Sequence, residues 1–342
     1  MKRRTLYFTA PEEIEVREEL LEPVKPEQVL VETLLSAISP GTEMLVYRGQ
    51  FPEELTVDET IASLTGSFRY PLKYGYSCVG RIVETGSRVD PAWHGRLVFS
   101  FHPHESHFVA NLTDLIPVPT DLSPEDAVFL PNMETAVNFL MDGRPMIGEF
   151  AAVFGLGIVG LLTTSLLVKH PLAGVICFDR YKKRREQALS LGAREALHPE
   201  DREGWMQSRE MLRQLGMADG FDLVYELSGV PAALDQAIGL TGFAGRVVIG
   251  SWYGKKPVAL NLGGRFHRSR IRLISSQVSS LDPQLLGRWT KSRRLGVAWE
   301  VLRQLKPAHW ITHQFCLEQA GQAYRCLAEH PEDTLQVVFR YA

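Results

Sequence analysis

The sequence predicts an α/β protein in which a β-rich region precedes a doubly wound parallel sheet. Three observations carry that expectation. Strand-like and helix-like segments alternate between residues 151 and 250, the pattern of β-α-β units with a parallel sheet. The first 122 residues instead hold short runs of β-branched residues broken by Pro and Gly. Near Pro124 one texture gives way to the other.

In the first region, residues 28–36 (QVLVETLLS), 75–85, 95–101 and 107–110 read as mostly antiparallel strands joined by long loops. Ser123-Pro124-Glu125-Asp126 reads as a helix start: a hydroxyl N-cap, Pro in the first turn, then two acids against the dipole. Strands are expected at 151–154, 174–178, 221–226 and 245–250. Helices are expected at 158–169, 182–191 and 231–240, the second closed by Gly192. Beyond these, 271–275 reads as a strand, 287–305 as a helix and 334–339 as a closing strand. The expected division is 1–122, a first part of a β domain; 123–268, the α/β domain; and 269–342, the end of the parallel sheet and a return to the first domain.

Composition narrows the class. The chain has 342 residues, 45% hydrophobic and 23% charged, with a formal net charge of -3. That balance gives no electrostatic reason to expect nucleic acid or an anionic membrane as partner. Cys78, Cys177, Cys316 and Cys326 are scattered and form no Cys-x-x-Cys pair, so free thiols in a reducing compartment are expected. The short apolar stretch after Met1 ends at Pro11, too short for a signal peptide. No apolar run approaches a membrane span. A cytoplasmic protein is the expectation.

The strongest local signal is Gly155-Leu156-Gly157-Ile158-Val159-Gly160, placed between a strand and a helix. That context turns a weak pattern into a dinucleotide-binding one. The first glycine makes the turn, the second admits a pyrophosphate, and the third lets helix and strand pack. The helix start, with Ile158 and Val159, offers N–H groups and a positive dipole end to phosphate. Asp179 ends the next strand, about 20 residues on, where a carboxylate accepts from the adenosine ribose hydroxyls of NAD and repels a 2′-phosphate. Arg180 and the following Lys182, Lys183, Arg184 and Arg185 are the counter-signal. They would hold a 2′-phosphate if Asp179 turned away, or else form a solvated helix turn. NAD(H) is favoured and NADP(H) remains open. Ser228 and Gly250-Ser251 end two further strands and leave room for ribose and nicotinamide.

With these pieces placed, the chain resembles the medium-chain dehydrogenase/reductase superfamily over nearly its whole length. Ser36-Ala37-Ile38-Ser39-Pro40-Gly41-Thr42-Glu43 is similar to its Cys-Gly-Thr-Asp segment. Tyr74-Gly75-Tyr76-Ser77-Cys78-Val79-Gly80 is similar to its Gly-His-Glu segment, and 221–229 to its F-D-x-V-x-x-x-S-G stretch. The resemblance implies a GroES-like β domain plus a Rossmann domain, an NAD(P)-dependent oxidoreductase, a small-molecule substrate and a homodimer, with 271–275 a candidate contact. It also exposes departures. The zinc-ligand positions of the family fall on Pro40, Tyr76, the adjacent Ser77 and near Pro131, and the four-cysteine lobe is absent. A catalytic zinc needs about three protein ligands, so no zinc is expected. In this respect the chain looks like zinc-free members near the bacteriochlorophyllide dehydrogenase branch.

Without zinc, the carbonyl must be polarised by hydrogen-bond donors. Thr42 matches the family's relay hydroxyl, and Tyr76 occupies the old ligand position. His104 and Glu134 are candidate acid–base groups, with His102 behind them. The run His102-Pro103-His104-Glu105-Ser106-His107 reads as a metal site, a polar loop near the substrate or a structural loop. Asn132 and Glu134 are read as functional or internally paired, and Trp252-Tyr253 as pocket lining or packing. The leading expectation is a zinc-independent dehydrogenase acting on an alcohol–carbonyl pair with NAD(H). The alternatives are an NADPH-dependent quinone or enoyl reductase, and a non-catalytic dinucleotide-binding protein.

Overall fold

The computed structural model describes residues 1–58, 60–61, 63–64, 66–214 and 220–341. The chain forms two compact units, Met1–Pro131 with Trp299–Ala342, and Asn132–Ala298. The sequence boundaries at 122 and 268 differ from these. Residues 123–131 stay with the first unit because their bonds go there: Val128 O accepts from Ser77 Oγ at 2.5 Å, and Asp126 accepts from Ala308 N at 2.9 Å.

The first unit opens with a hairpin of β1 (Lys2–Ala10) and β2 (Glu13–Leu20). Then come β3 (Gln28–Ala37), α1 (Pro40–Tyr47), β4 (Cys78–Thr85), β5 (Leu97–Ser100), β6 (His107–Asn111) and β7 (Ile116–Pro117). Ser123 caps α2 (Pro124–Ala127) by accepting from Asp126 N. This helix is a single turn, and α3 (Leu130–Gly143) follows after a break.

The second unit alternates as expected: β8 (Phe150–Phe154), α4 (Ile158–Leu167), β9 (Gly174–Phe178), α5 (Lys182–Ser190), β10 (Glu195–Leu197), α6 (Arg202–Gln214), β11 (Phe221–Glu226), α7 (Pro231–Leu240), β12 (Thr241–Ile249) and β13 (Arg272–Ser275). Its sheet runs β10-β9-β8-β11-β12-β13 with parallel pairing. The order reverses at β8 and β11, so a ligand crevice is expected beyond their carboxyl ends. The fully apolar β8, FAAVF, is buried at every position, as a strand covered on both faces requires. Phe154, Phe178 and Val224 belong to its core. β12 begins earlier than the sequence suggested. The glycine-rich TGFAG stretch joins the ladder through an irregularity in register, which glycines permit.

α8 (Lys291–Leu305) leads the chain back to the first unit, which ends with β14 (Ile311–Cys316), α9 (Ala320–Glu329) and β15 (Gln336–Arg340). The larger sheet of this unit runs β14-β15-β3-β4-β5-β7, with β6 also on β3. Val29, Val31, Ile82, Val98 and Phe108 fill its interior. No helix among the described residues is long and apolar enough to cross a membrane.

Candidate active site

The glycine turn separates into two kinds of glycine. Gly155 has φ +90°, a left-handed conformation that favours glycine, and a side chain there would stand 2.6 Å from Ser228 Cα. On Gly160 a side chain would meet the carbonyl oxygen of Gly155 at 1.9 Å. The protein's own packing demands both. Gly157 is different: its φ is -63°, open to any residue, and the nearest atom to an added Cβ is Arg184 Nη1 at 4.0 Å. Space above Gly157 is therefore left beside a guanidinium, at the start of α4, which carries no side-chain cap. Uncapped N–H groups, a positive helix end and a nearby cation fit a phosphate.

Asp179 is buried beside this turn. Its Oδ2 accepts from Leu156 N at 2.7 Å and its Oδ1 from Tyr181 N at 2.8 Å. Each oxygen keeps a second lone pair for a ribose hydroxyl. The basic run after it divides. Arg185 donates to the carbonyls of Asp179 and Arg180 at 2.8 and 2.9 Å. Lys182 faces solvent opposite Glu186, and Arg184 lies over the Tyr181 ring at 4.8 Å. Arg180 is exposed.

At the ends of β11 and β12, the small residues are partly committed to the protein. Ser228 donates its N–H to Glu226 Oε1 at 2.8 Å, and its hydroxyl also donates there. Ser251 Oγ accepts from Gly229 N at 2.8 Å. Gly250 is demanded by packing, since a Cβ would stand 2.2 Å from the Phe139 ring.

In the first unit, a hydroxyl cluster surrounds Tyr76. Its phenol donates to Ser39 Oγ and, at 3.3 Å, to Thr42 Oγ1. Burial pushes the phenol above its usual range, against the hydrogen bonds of Ser39 and Thr42. Tyr76 thereby rests as the protonated phenol, a hydrogen-bond donor. Behind the cluster, His104 is fully buried. Its Nε2 lies 3.0 Å from Glu43 Oε2 and its Nδ1 2.7 Å from Ser36 Oγ. Glu43 also accepts from Tyr324 OH and from Ser39 N, the latter at 2.7 Å. Both ring nitrogens of His104 are thus engaged inside the unit. Glu105 is nearly buried and accepts from Arg3 and Lys73 at 2.9 and 2.8 Å, with His102 at 3.2 Å. The His-x-His-Glu run therefore ties its loop to β1.

Glu134 lies in the second unit. Its Oε1 accepts from Arg294 Nη2 at 2.9 Å and Nε at 3.1 Å. Burial raises its pKa despite the opposing guanidinium. Arg294 also bonds Asn138 and the carbonyls of Val278 and Ser280, so Glu134 is part of an internal network.

The donor set does not fit a catalytic zinc. Pro40 and Pro131 have no side-chain ligand atom, Ser77 Oγ donates to Val128 O, and Tyr76 is held by hydroxyls. Among the described residues no group of three His, Cys, Asp or Glu is arranged to hold a metal ion. Sequence reasoning missed Ser39 and Glu226 as members of these clusters, and read Arg184 only as a 2′-phosphate contact or solvated turn and Tyr253 as pocket lining or packing. A Glu at the last position of a central buried strand was the available signal for Glu226.

A six-stranded parallel sheet with a glycine turn at its reversal point is the architecture of dinucleotide-binding α/β units. Known dehydrogenases are similar to this chain. A family model described as zinc-binding dehydrogenase matches residues 159–291. D-guloside 3-dehydrogenase of Escherichia coli (strain K12) is 24% identical over 269 residues, covering 77% of this chain and 76% of the relative. An uncharacterized zinc-type alcohol dehydrogenase-like protein of the same strain is 30% identical over 230 residues, covering 66% and 60%. A solved short chain alcohol dehydrogenase from E. coli CFT073, complexed with NADH, has a TM-score of 0.78 at 18% identity and 99% coverage of both chains. By these relatives the chain is an NAD(P)-dependent oxidoreductase similar to the medium-chain dehydrogenase/reductase superfamily.

Proposed function

We propose that the chain is a zinc-independent oxidoreductase that transfers a hydride between NAD(H) and an alcohol–carbonyl substrate. The observation that carries this reading is the Tyr76 phenol, bonded to Ser39 and Thr42 where the family pattern has a zinc ligand. When bound, the cofactor supplies hydride acceptance and donation. Everything else falls to the chain's own groups. In the reducing direction the Tyr76 O–H donates to the carbonyl oxygen and gives up its proton as that oxygen becomes a hydroxyl. Ser39 Oγ, partly exposed, returns a proton to Tyr76 while taking one from solvent, with Thr42 beside it. His104, through Glu43 and the Ser39 N–H, positions this cluster.

Gly155, Gly157, Ile158, Val159 and Gly160 form the pyrophosphate cradle in this reading, with Arg184 beside Gly157. Asp179 selects NAD(H) by accepting from ribose hydroxyls. Ser228, Gly250 and Ser251 shape the second half of the crevice. Arg180, exposed next to Asp179, favours NADP(H). The edge strand β13 supports a homodimer, which a molar-mass measurement in solution checks.

The test is Tyr76→Phe. Loss of the donor lowers turnover by about 10²- to 10⁴-fold, the range of a positioned acid, while NADH affinity and thermal stability stay unchanged. Unchanged turnover removes Tyr76 from the mechanism.

A further inference from the structure

The reversal point of the parallel sheet carries a buried acid that the mechanism above does not use. Glu226, the last residue of β11, is fully buried. In the ladder it stands opposite Phe154 of β8, the residue before the glycine turn. Two positions on, Ser228 packs against Gly155 so closely that a side chain on that glycine would come within 2.6 Å. The carboxylate therefore lies under the crevice rather than at the far end of the sheet. Oε1 accepts from the Ser228 N–H at 2.8 Å and from the Ser228 hydroxyl. Oε2 accepts from the Tyr253 phenol, whose own pKa is raised first by burial and then by the Glu226 charge.

All three donors are neutral. They satisfy an acceptor-only carboxylate and hold it in place without cancelling its charge. A buried charge is weakly screened and reaches further than one in water. The two redox forms of a nicotinamide cofactor differ by one charge: the oxidised ring is cationic and the reduced ring neutral, while adenosine, riboses and pyrophosphate are common to both. A fixed negative charge beneath the crevice acts on that difference.

We propose that Glu226 sets the redox preference of the bound cofactor, favouring the oxidised nicotinamide over the reduced one. Tyr253 and Ser228 are positioning residues that keep the carboxylate in register with the crevice. The inference rests on the nicotinamide-dinucleotide reading above.

The experiment measures Kd for NAD⁺ and for NADH, by titration, on the wild type, Glu226→Gln and Tyr253→Phe. Removing the charge shifts the Kd ratio towards tighter NADH by roughly three- to tenfold, the size expected of one charge at an effective dielectric constant of about 20. Tyr253→Phe keeps the charge, so both affinities move together and the ratio holds. If the Gln side chain, facing three donors, prevents folding by circular dichroism, the Glu226→Gln/Tyr253→Phe double variant relieves that mismatch and carries the same expected shift. A ratio unchanged by loss of the carboxylate, including a fall of both affinities by a common factor, overturns the proposal. A wild-type protein that binds neither form overturns the functional reading instead.

Discussion

Gly157→Ala separates what the fold needs from what the ligand needs. At Gly157 the backbone is extended, with φ -63° and ψ -176°, so alanine fits without strain. An added methyl meets no protein atom nearer than Arg184 Nη1 at 4.0 Å. Stability should hold or rise by about 0.4–1 kcal/mol, because alanine restricts the unfolded chain. The methyl instead occupies the space where a pyrophosphate approaches the α4 N-terminus. Losing a hydrogen bond to a charged group costs about 1.5–3 kcal/mol, or roughly a 10- to 150-fold rise in Kd. Gly160→Ala is the contrast, since its methyl would stand 1.9 Å from Gly155 O and the turn itself must open. Fluorescence titration with NADH, paired with thermal unfolding, reads both quantities. A Gly157→Ala protein that binds NADH as tightly as the wild type refutes the cradle assignment. One that unfolds early refutes the claim that the space is not structural.

Asp179→Ser removes the carboxylate that disfavours a 2′-phosphate, so the Kd preference for NADH over NADPH should narrow by roughly tenfold, about one charged hydrogen bond; an unchanged preference argues against Asp179 as selector. Glu134→Ala leaves Arg294 buried without its carboxylate, and should destabilise the second unit by about 3–5 kcal/mol in denaturant unfolding. A Glu134→Ala protein of full stability but low turnover would restore Glu134 as an acid–base candidate. Glu19 governs an acid response: despite partial burial, which alone would raise its pKa, hydrogen bonds from Tyr7, Lys73 and Thr5 and the Lys73 charge lower it from 4.5 to about 2. Its folded pKa is depressed, so its stabilisation is present above pH 4.5 and lost as pH falls towards 2. Thermal unfolding of the wild type should therefore fall more steeply across that window than that of Glu19→Gln.

The α/β unit was legible because its signals are local. Glycines 155, 157 and 160 sit between an apolar strand and a helix, and Pro231 opens α7 at its expected position. The hairpin of β1 and β2 was not. In EIEVREEL the burial alternates only between exposed and partly buried, so no apolar period announces a strand. The single-turn α2 begins on a good cap, and Pro131, tolerated only in a helix's first turn, makes α3 start afresh at Leu130. The site was half legible for the same reason. Tyr76 and Thr42 came from a motif match. The commitments of His104 to Glu43 and of Glu134 to Arg294 join residues 61 and 160 positions apart. Glu226 was hidden inside a strand pattern, where its burial and its bond to Tyr253 are tertiary facts.

Hydride transfer without a catalytic zinc is tested directly on metal-free protein. The measurement follows deuteride transfer from labelled NADH to a carbonyl substrate before and after exhaustive chelation, with metal content determined alongside. The same stereospecific transfer rate is expected in both preparations, with no stoichiometric zinc. Activity lost on chelation and restored by zinc would contradict it.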